Sequence, residues 1–146
     1  MATEIYPMPM FPTLSVRDAA ASARWYGALG FEHVFTMPDA AGRPQLVHLR
    51  WTKYADVLVR EGSNPVPEGR DRGVTLTFAL ATDQVATIAE RARSLGSTML
   101  REPTVQPWNA RDVAIADPDG HHLVFTFGPV DAEMTFEEVA ERAGRA

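Results

Sequence analysis

Apolar residues recur at two periods along this chain. Leu14 and Val16 stand at alternate positions, as do Val113 and Ile115, and again Leu123, Phe125 and Phe127. That is the period of half-buried strands, whose successive side chains point to opposite faces. Ala19, Ser22, Tyr26 and Leu29 instead fall on one helical face, and so do Val85, Ile88, Ala92 and Leu95. In order, the pattern predicts a strand at Phe11–Val16, which Pro12 confines to an edge or a strand start, and an Asp18 N-cap. A helix over Ala19–Leu29 follows, closed by Gly30. Then come a strand at Phe31–Met37, a turn at Asp39–Gly42, and strands at Pro44–Trp51 and Ala55–Arg60. Glu61–Arg72, rich in Gly, Pro and charge, reads as a linker.

After the linker the pattern restarts. A strand at Gly73–Leu80, an Asp83 cap, a helix over Val85–Leu95 with Gly96 behind it, and strands at Ser97–Leu100, Arg111–Ala116 and His121–Phe127 are expected. The turn Asp117-Pro118-Asp119-Gly120 joins the last two. Leu14 and Val16 correspond to Phe78 and Leu80, and Leu29-Gly30 to Leu95-Gly96, so the chain repeats itself at about half its length. The expected fold is α+β: two tandem βαβββ modules, about 11–60 and 73–127, packed into one curved mixed sheet with a concave ligand cup. A single domain would span 1–130. Residues 131–146 form a helical extension: Thr135 and Glu138 have capping-box spacing, Met134 and Val139 are placed for a staple, and Phe136, Val139, Ala140 and Ala143 make an apolar stripe. That stripe is expected to dock on the domain or on a second subunit.

Composition narrows the function. The chain of 146 residues carries a net charge of −5, with no Lys/Arg cluster, which argues against nucleic acid and suits a cationic partner better. It contains no cysteine, so thiolate metal sites, disulfides and cysteine nucleophiles are excluded, in keeping with a reducing cytoplasm. No apolar run approaches a membrane span, and neither a Gly-rich phosphate loop nor a serine elbow is present.

Strand alternation assigns the cup. With Leu14 and Val16 turned to the helix, Phe11, Thr13 and Ser15 face away; likewise Thr75, Thr77 and Ala79, and His122, Val124 and Thr126. This surface of hydroxyls, methyls and one ring has hardly any titratable group, which favours binding over acid–base catalysis. Trp108, in a loop behind Pro107, is a candidate ligand contact, with coverage of the sheet edge as the alternative; Asn109 and Arg111 are its polar companions, although Arg111 suits a surface carboxylate equally. Trp51, Tyr54, Phe35 and Met37 divide between packing and groove lining, while Trp25 and Tyr26 belong to core or interface. His48 is either a hydrogen-bonding contact or a satisfied structural histidine. His121 and His122 are adjacent on a strand and cannot chelate together.

Val16-Arg17-Asp18 leading into a helix that ends Trp25-Tyr26, then Leu29-Gly30-Phe31, then Asp117–Gly120 before the last strand, resemble the vicinal oxygen chelate superfamily over roughly Phe11–Phe127. That superfamily includes glyoxalases, extradiol dioxygenases and bleomycin resistance proteins. The Gln106-Pro107-Trp108 loop with Arg111 looks most like the bleomycin-resistance branch, whose members lack metal, form intimate dimers and sequester drugs in grooves. In the superfamily's enzymes the pattern H-x-x-L-x-V supplies one metal-binding histidine from each half. Here those positions hold Phe11 and Thr75, and the carboxylate positions fall on Val124 and near Val57–Val59. The resemblance therefore implies a metal-free, cofactor-free, cytoplasmic homodimer that binds an aromatic or cationic natural product. Its expected ligand-binding residues are Trp108, Phe35, Trp51, His48, Phe11, Thr13, Thr75, Thr77, Met37, Asn109 and Arg111. The alternatives are an enzyme of the superfamily with a relocated metal site at His48, Glu61 and His122, a cofactor-free catalyst using His48 or His122 as base, and a dimer that binds no ligand.

Overall fold

A computed structural model describes residues 4–62 and 73–145; of the expected linker, 63–72 lie outside the described residues. The chain divides into two compact units. One comprises the described residues of the first 72 together with Asp117–His121; the other comprises Gly73–Ala116 and His122 onward.

The first unit contains β1 (Thr13–Val16), α1 (Ala19–Leu29), β2 (Glu32–Pro38), β3 (Pro44–Arg50) and β4 (Asp56–Glu61). Its sheet has the order β1-β4-β3-β2, with β1 parallel to β4 and the other pairs antiparallel. Asp18 starts α1 by accepting from the Ala21 N–H at 2.9 Å. Gly30, at φ 131°, ends it, and the amides of Gly30 and Phe31 both return to the Tyr26 carbonyl. One sheet face packs on this helix: Leu14, Val16, Val47, Leu49, Val57 and Val59 are buried against Ala19, Trp25, Tyr26 and Leu29. Each such large aliphatic side chain contributes about 1.5–3 kcal/mol on burial. Edge-on aromatic contacts run from Trp25 to Tyr26 to Phe31, and Phe31 meets Trp51 with ring centres 5.1 Å apart.

The second unit repeats the order: β5 (Thr75–Ala79), α2 (Val85–Ser94), β6 (Met99–Gln106), β7 (Ala110–Ala116) and β8 (His122–Phe127), followed by α3 (Phe136–Gly144). The sheet order is β5-β8-β7-β6, with β5 parallel to β8. Phe78 stacks on Phe125 at 5.2 Å, above Val85, Ile88, Ala89 and Ala92 of α2. The expected architecture of two mixed four-stranded modules and a terminal helix is therefore observed.

Two local expectations change. The strand expected at Ser97–Leu100 is the start of β6, which runs on to Gln106 with register breaks on both sides of Arg101. Its charged pair Arg101-Glu102 and Pro103 disguise the alternation, which bulges absorb. The N-cap position of α2 is Gln84 rather than Asp83, although the Asp83 carboxylate accepts from the Val85 amide at 3.3 Å. In α3 the Thr135–Glu138 capping box forms as read, but no residue of the helix is buried, and Phe136 is 81% exposed. No helix among the described residues is long and apolar enough to cross a membrane.

Candidate functional site

The face of the first sheet turned away from α1 is read row by row from its register. Thr13 pairs with Leu58, Leu58 with His48, and His48 with Phe35, so these four residues form one row across β1, β4, β3 and β2. The next row is Ser15, Arg60, Leu46 and Met37. Phe35 owes its place to a bulge. His33 pairs with Leu49 of the helix-facing set, and one extra residue, Val34, is inserted before Phe35 pairs with His48. Without that insertion Phe35 would fall on the other face, since a one-residue slip inverts every side chain. Phe35 and Met37 remain 47% and 45% exposed, and Phe11, just before β1, 49%.

Beside this row lies a charged cluster that the expected composition of the face did not include. Arg50 and Asp56 are paired across β3 and β4. Arg50 donates to Asp56 through Nε at 2.7 Å and Nη2 at 2.8 Å, the two-pronged geometry that suits a carboxylate. His48 Nε2 lies 2.6 Å from Asp56 Oδ2. Both members of the Arg50–Asp56 pair are buried, and the amino-terminal segment helps to cover them: Arg50 Nη1 donates to the Glu4 carbonyl at 2.7 Å and its guanidinium lies 4.3 Å from the Tyr6 ring centre. Tyr6 Oη in turn accepts from the Tyr54 amide at 2.7 Å.

Burial works against the charge on Asp56, but the hydrogen bonds from Arg50 and His48 outweigh it and hold the carboxyl below its usual range. The bond to Asp56 likewise raises Arg50 above its ordinary value. An ionised carboxylate only accepts, so Nε2 of His48 is the donor, and in the uncharged tautomer that matches this bond Nδ1 is the acceptor. His48 is thus held by its neighbour, while its side chain keeps 23% of its exposure.

The second sheet buries an acid on its corresponding face in another way. Asp112 receives Arg101 at 3.1 and 2.9 Å and Gln106 at 3.1 Å, all on Oδ1. Thr75 and Thr77 lie on this face, paired with His122 and Val124, and both are exposed. Arg111 points elsewhere and pairs with Asp83. Pro107, Trp108 and Asn109 form the β6–β7 turn, in which the Asn109 amide returns to the Gln106 carbonyl and Asn109 takes φ 65°. The Asn109 side chain is spent on the chain itself, donating to the Asp131 carbonyl and accepting the Asp131 amide, both at 2.8 Å. Trp108 is half exposed at the tip. Trp51 packs on Phe31, with the helix-side rings.

The motifs that carried the resemblance are structural in the first unit. Asp117 Oδ1 accepts from the amides of Asp119 and His121, closing the turn, and its Oδ2 accepts from Tyr26 Oη at 2.8 Å. Arg17 clasps the turn through Asp119 and the Pro118 carbonyl, and His121 donates to the Ser15 carbonyl at 2.8 Å. Burial raises both the Asp117 carboxyl and the Tyr26 phenol.

The metal of the superfamily's enzymes does not fit this donor set. Phe11, Val57, Val59 and Val124 carry no ligating atom, and Thr75 offers only a neutral hydroxyl, where zinc or iron requires imidazole, carboxylate or thiolate. The relocated set fares no better in the first unit. Glu61 lies on the helix side, accepting from the Ala19 amide and from Arg43, whereas His48 is on the opposite face and spends Nε2 on Asp56. Among the described residues, no three His, Asp or Glu side chains gather in a metal-binding group.

Asp56 and Arg50 are the functional candidates that the sequence reading missed. Their signal was available: opposite charges flank the Trp51–Ala55 turn, and Arg50 is two residues from His48, hence on the same face. No curated protein matches. A hypothetical protein from S. aureus has 25% identity and a TM-score of 0.64, covering 83% of this chain and 97% of its own. TioX from Micromonospora sp. ML1 has 22% identity and a TM-score of 0.65, with 86% and 98% covered. A lactoylglutathione lyase from Agrobacterium tumefaciens has 20% identity and a TM-score of 0.60, with 86% and 98% covered. At such identities the last two show the fold alone. The family model of the Glyoxalase/Bleomycin resistance protein/Dioxygenase superfamily matches residues 11–125, and the chain belongs to that superfamily.

Proposed function

We propose that this chain is a metal-independent binding protein for small, planar, apolar molecules of the antibiotic or natural-product kind, acting by sequestration as a homodimer. The ligand rests on the first sheet's face away from α1, against Phe35, Met37, Leu58 and Phe11. The observation that carries this reading is the Val34 bulge, which turns Phe35 onto the face of His48 and leaves its ring half exposed. Bulges of this kind re-aim side chains beside sites, and exposed clustered apolar groups mark binding surfaces. Arg60, in the neighbouring row, works against a cationic ligand and in favour of a neutral or anionic one.

A thermal-shift screen of planar natural products, run with and without a chelator, tests the proposal. A ligand at a hundred times its Kd raises stability by about 2.7 kcal/mol, and the gain is expected to survive the chelator. A gain that appears only with added divalent metal, or no gain from any compound, contradicts it.

A further inference from the structure

We infer that His48 Nδ1 is the specificity determinant of this face, selecting aromatic ligands that carry a hydrogen-bond donor, a phenolic O–H or an aromatic N–H, beside the ring. This rests on the binding reading above and adds the ligand's chemistry to it.

Four observations combine. Asp56 is ionised and buried, and its carboxylate receives Nε2 of His48 at 2.6 Å, which fixes the proton on that nitrogen. The carboxylate is itself immobilised by two bonds from Arg50, so the imidazole plane is set by a supported partner. Among the described residues, Nδ1 makes no hydrogen bond, and the side chain is 23% exposed. The neighbours of His48 in its row are Leu58 and Phe35, which offer no competing hydrogen bond.

An oriented acceptor between apolar neighbours discriminates strongly. A ligand with a donor completes the acceptor, while one lacking it leaves a desolvated lone pair unpaired. The selection is therefore for phenols over their methyl ethers, with the ring placed on Phe35. Asp56 acts through the imidazole and is a positioning residue.

The test uses 2-naphthol and 2-methoxynaphthalene as matched fluorescent probes, titrated into the full chain and into His48→Phe and Phe35→Ala. Wild type is expected to bind the naphthol about tenfold tighter than its ether. His48→Phe brings that ratio to near one, because it removes the acceptor that the naphthol satisfies and the ether leaves unpaired, and Phe35→Ala weakens both probes alike. Imidazole nitrogen NMR of the wild type provides a readout that needs no variant: the Nδ1 resonance moves on adding 2-naphthol and stays on adding the ether. Equal binding of the two probes by wild type, or a preference that persists in His48→Phe, overturns the inference while leaving the binding reading intact. If neither probe binds, the binding reading fails, and the inference with it.

Discussion

The two modules share one topology and bury an aspartate paired with an arginine on the same side of their sheets, yet use it differently. In the first, Asp56 takes Arg50 on both oxygens and an imidazole besides. In the second, Asp112 takes Arg101 and the Gln106 amide on one oxygen. The second cluster is made of donors that end on the acid. The first passes its order outward, to a ring nitrogen lying between Leu58 and Phe35. A duplicated scaffold thus pairs a buried aspartate with an arginine twice and brings an imidazole to it in only one module.

Replacing the two acids separates them most sharply. Asp56→Asn leaves a buried Arg50 without its counter-charge and is expected to cost about 3 kcal/mol in urea unfolding. Asp112→Asn is expected to cost about 1 kcal/mol, because Arg101 is 41% exposed and turns to water. Equal costs would show that the modules do not differ in this respect.

Next in size is the β6–β7 turn. Asn109→Ala loses both bonds to the Asp131 backbone and puts at φ 65° a residue that tolerates the left-handed region less well than asparagine; about 2 kcal/mol is expected. Asn109→Gly, which tolerates that conformation, recovers about half of it in the same measurement.

Acid titration distinguishes two carboxylates of the first unit by sign. The Asp56 carboxyl is held below its usual value, so its stabilisation is present at neutral pH and disappears as pH falls through that lowered value. The gap in stability between wild type and Asp56→Asn should therefore narrow toward acid. Burial raises Asp117, so the folded state binds its proton first and gains stability as pH falls through the raised value. Relative to Asp117→Asn, wild type should gain as the pH falls through that raised value. The smallest effect is expected at α3, where Phe136→Ser changes the melting temperature negligibly, because a side chain 81% exposed gives up little on replacement.

Local signals were legible in the sequence wherever the chemistry is local. The Asp18 cap, the Gly30 stop and the Thr135–Glu138 box each satisfy backbone groups within a few residues, and the halves announce themselves through the match of Leu14 and Val16 to Phe78 and Leu80 and of Leu29-Gly30 to Leu95-Gly96. What stayed hidden depends on register. The face carrying Phe35 follows from a single inserted residue, which no propensity marks. The Arg50–Asp56–His48 cluster forms only once β3 lies beside β4, so each residue alone looks like surface charge. Tyr26 reads as an apolar helix position, yet its hydroxyl meets Asp117, 91 residues away. β6 was obscured for the opposite reason: its bulges break the alternation that reveals other strands.

The placement of the ligand is tested most directly by an amide NMR titration of the full chain with 2-naphthol. Shifts concentrated at Thr13, Phe35, His48 and Leu58, with the second module's Thr75, Thr77 and Asp112 nearly unmoved, are the predicted result. Shifts centred on the second sheet or on α3, with the first sheet silent, would contradict it.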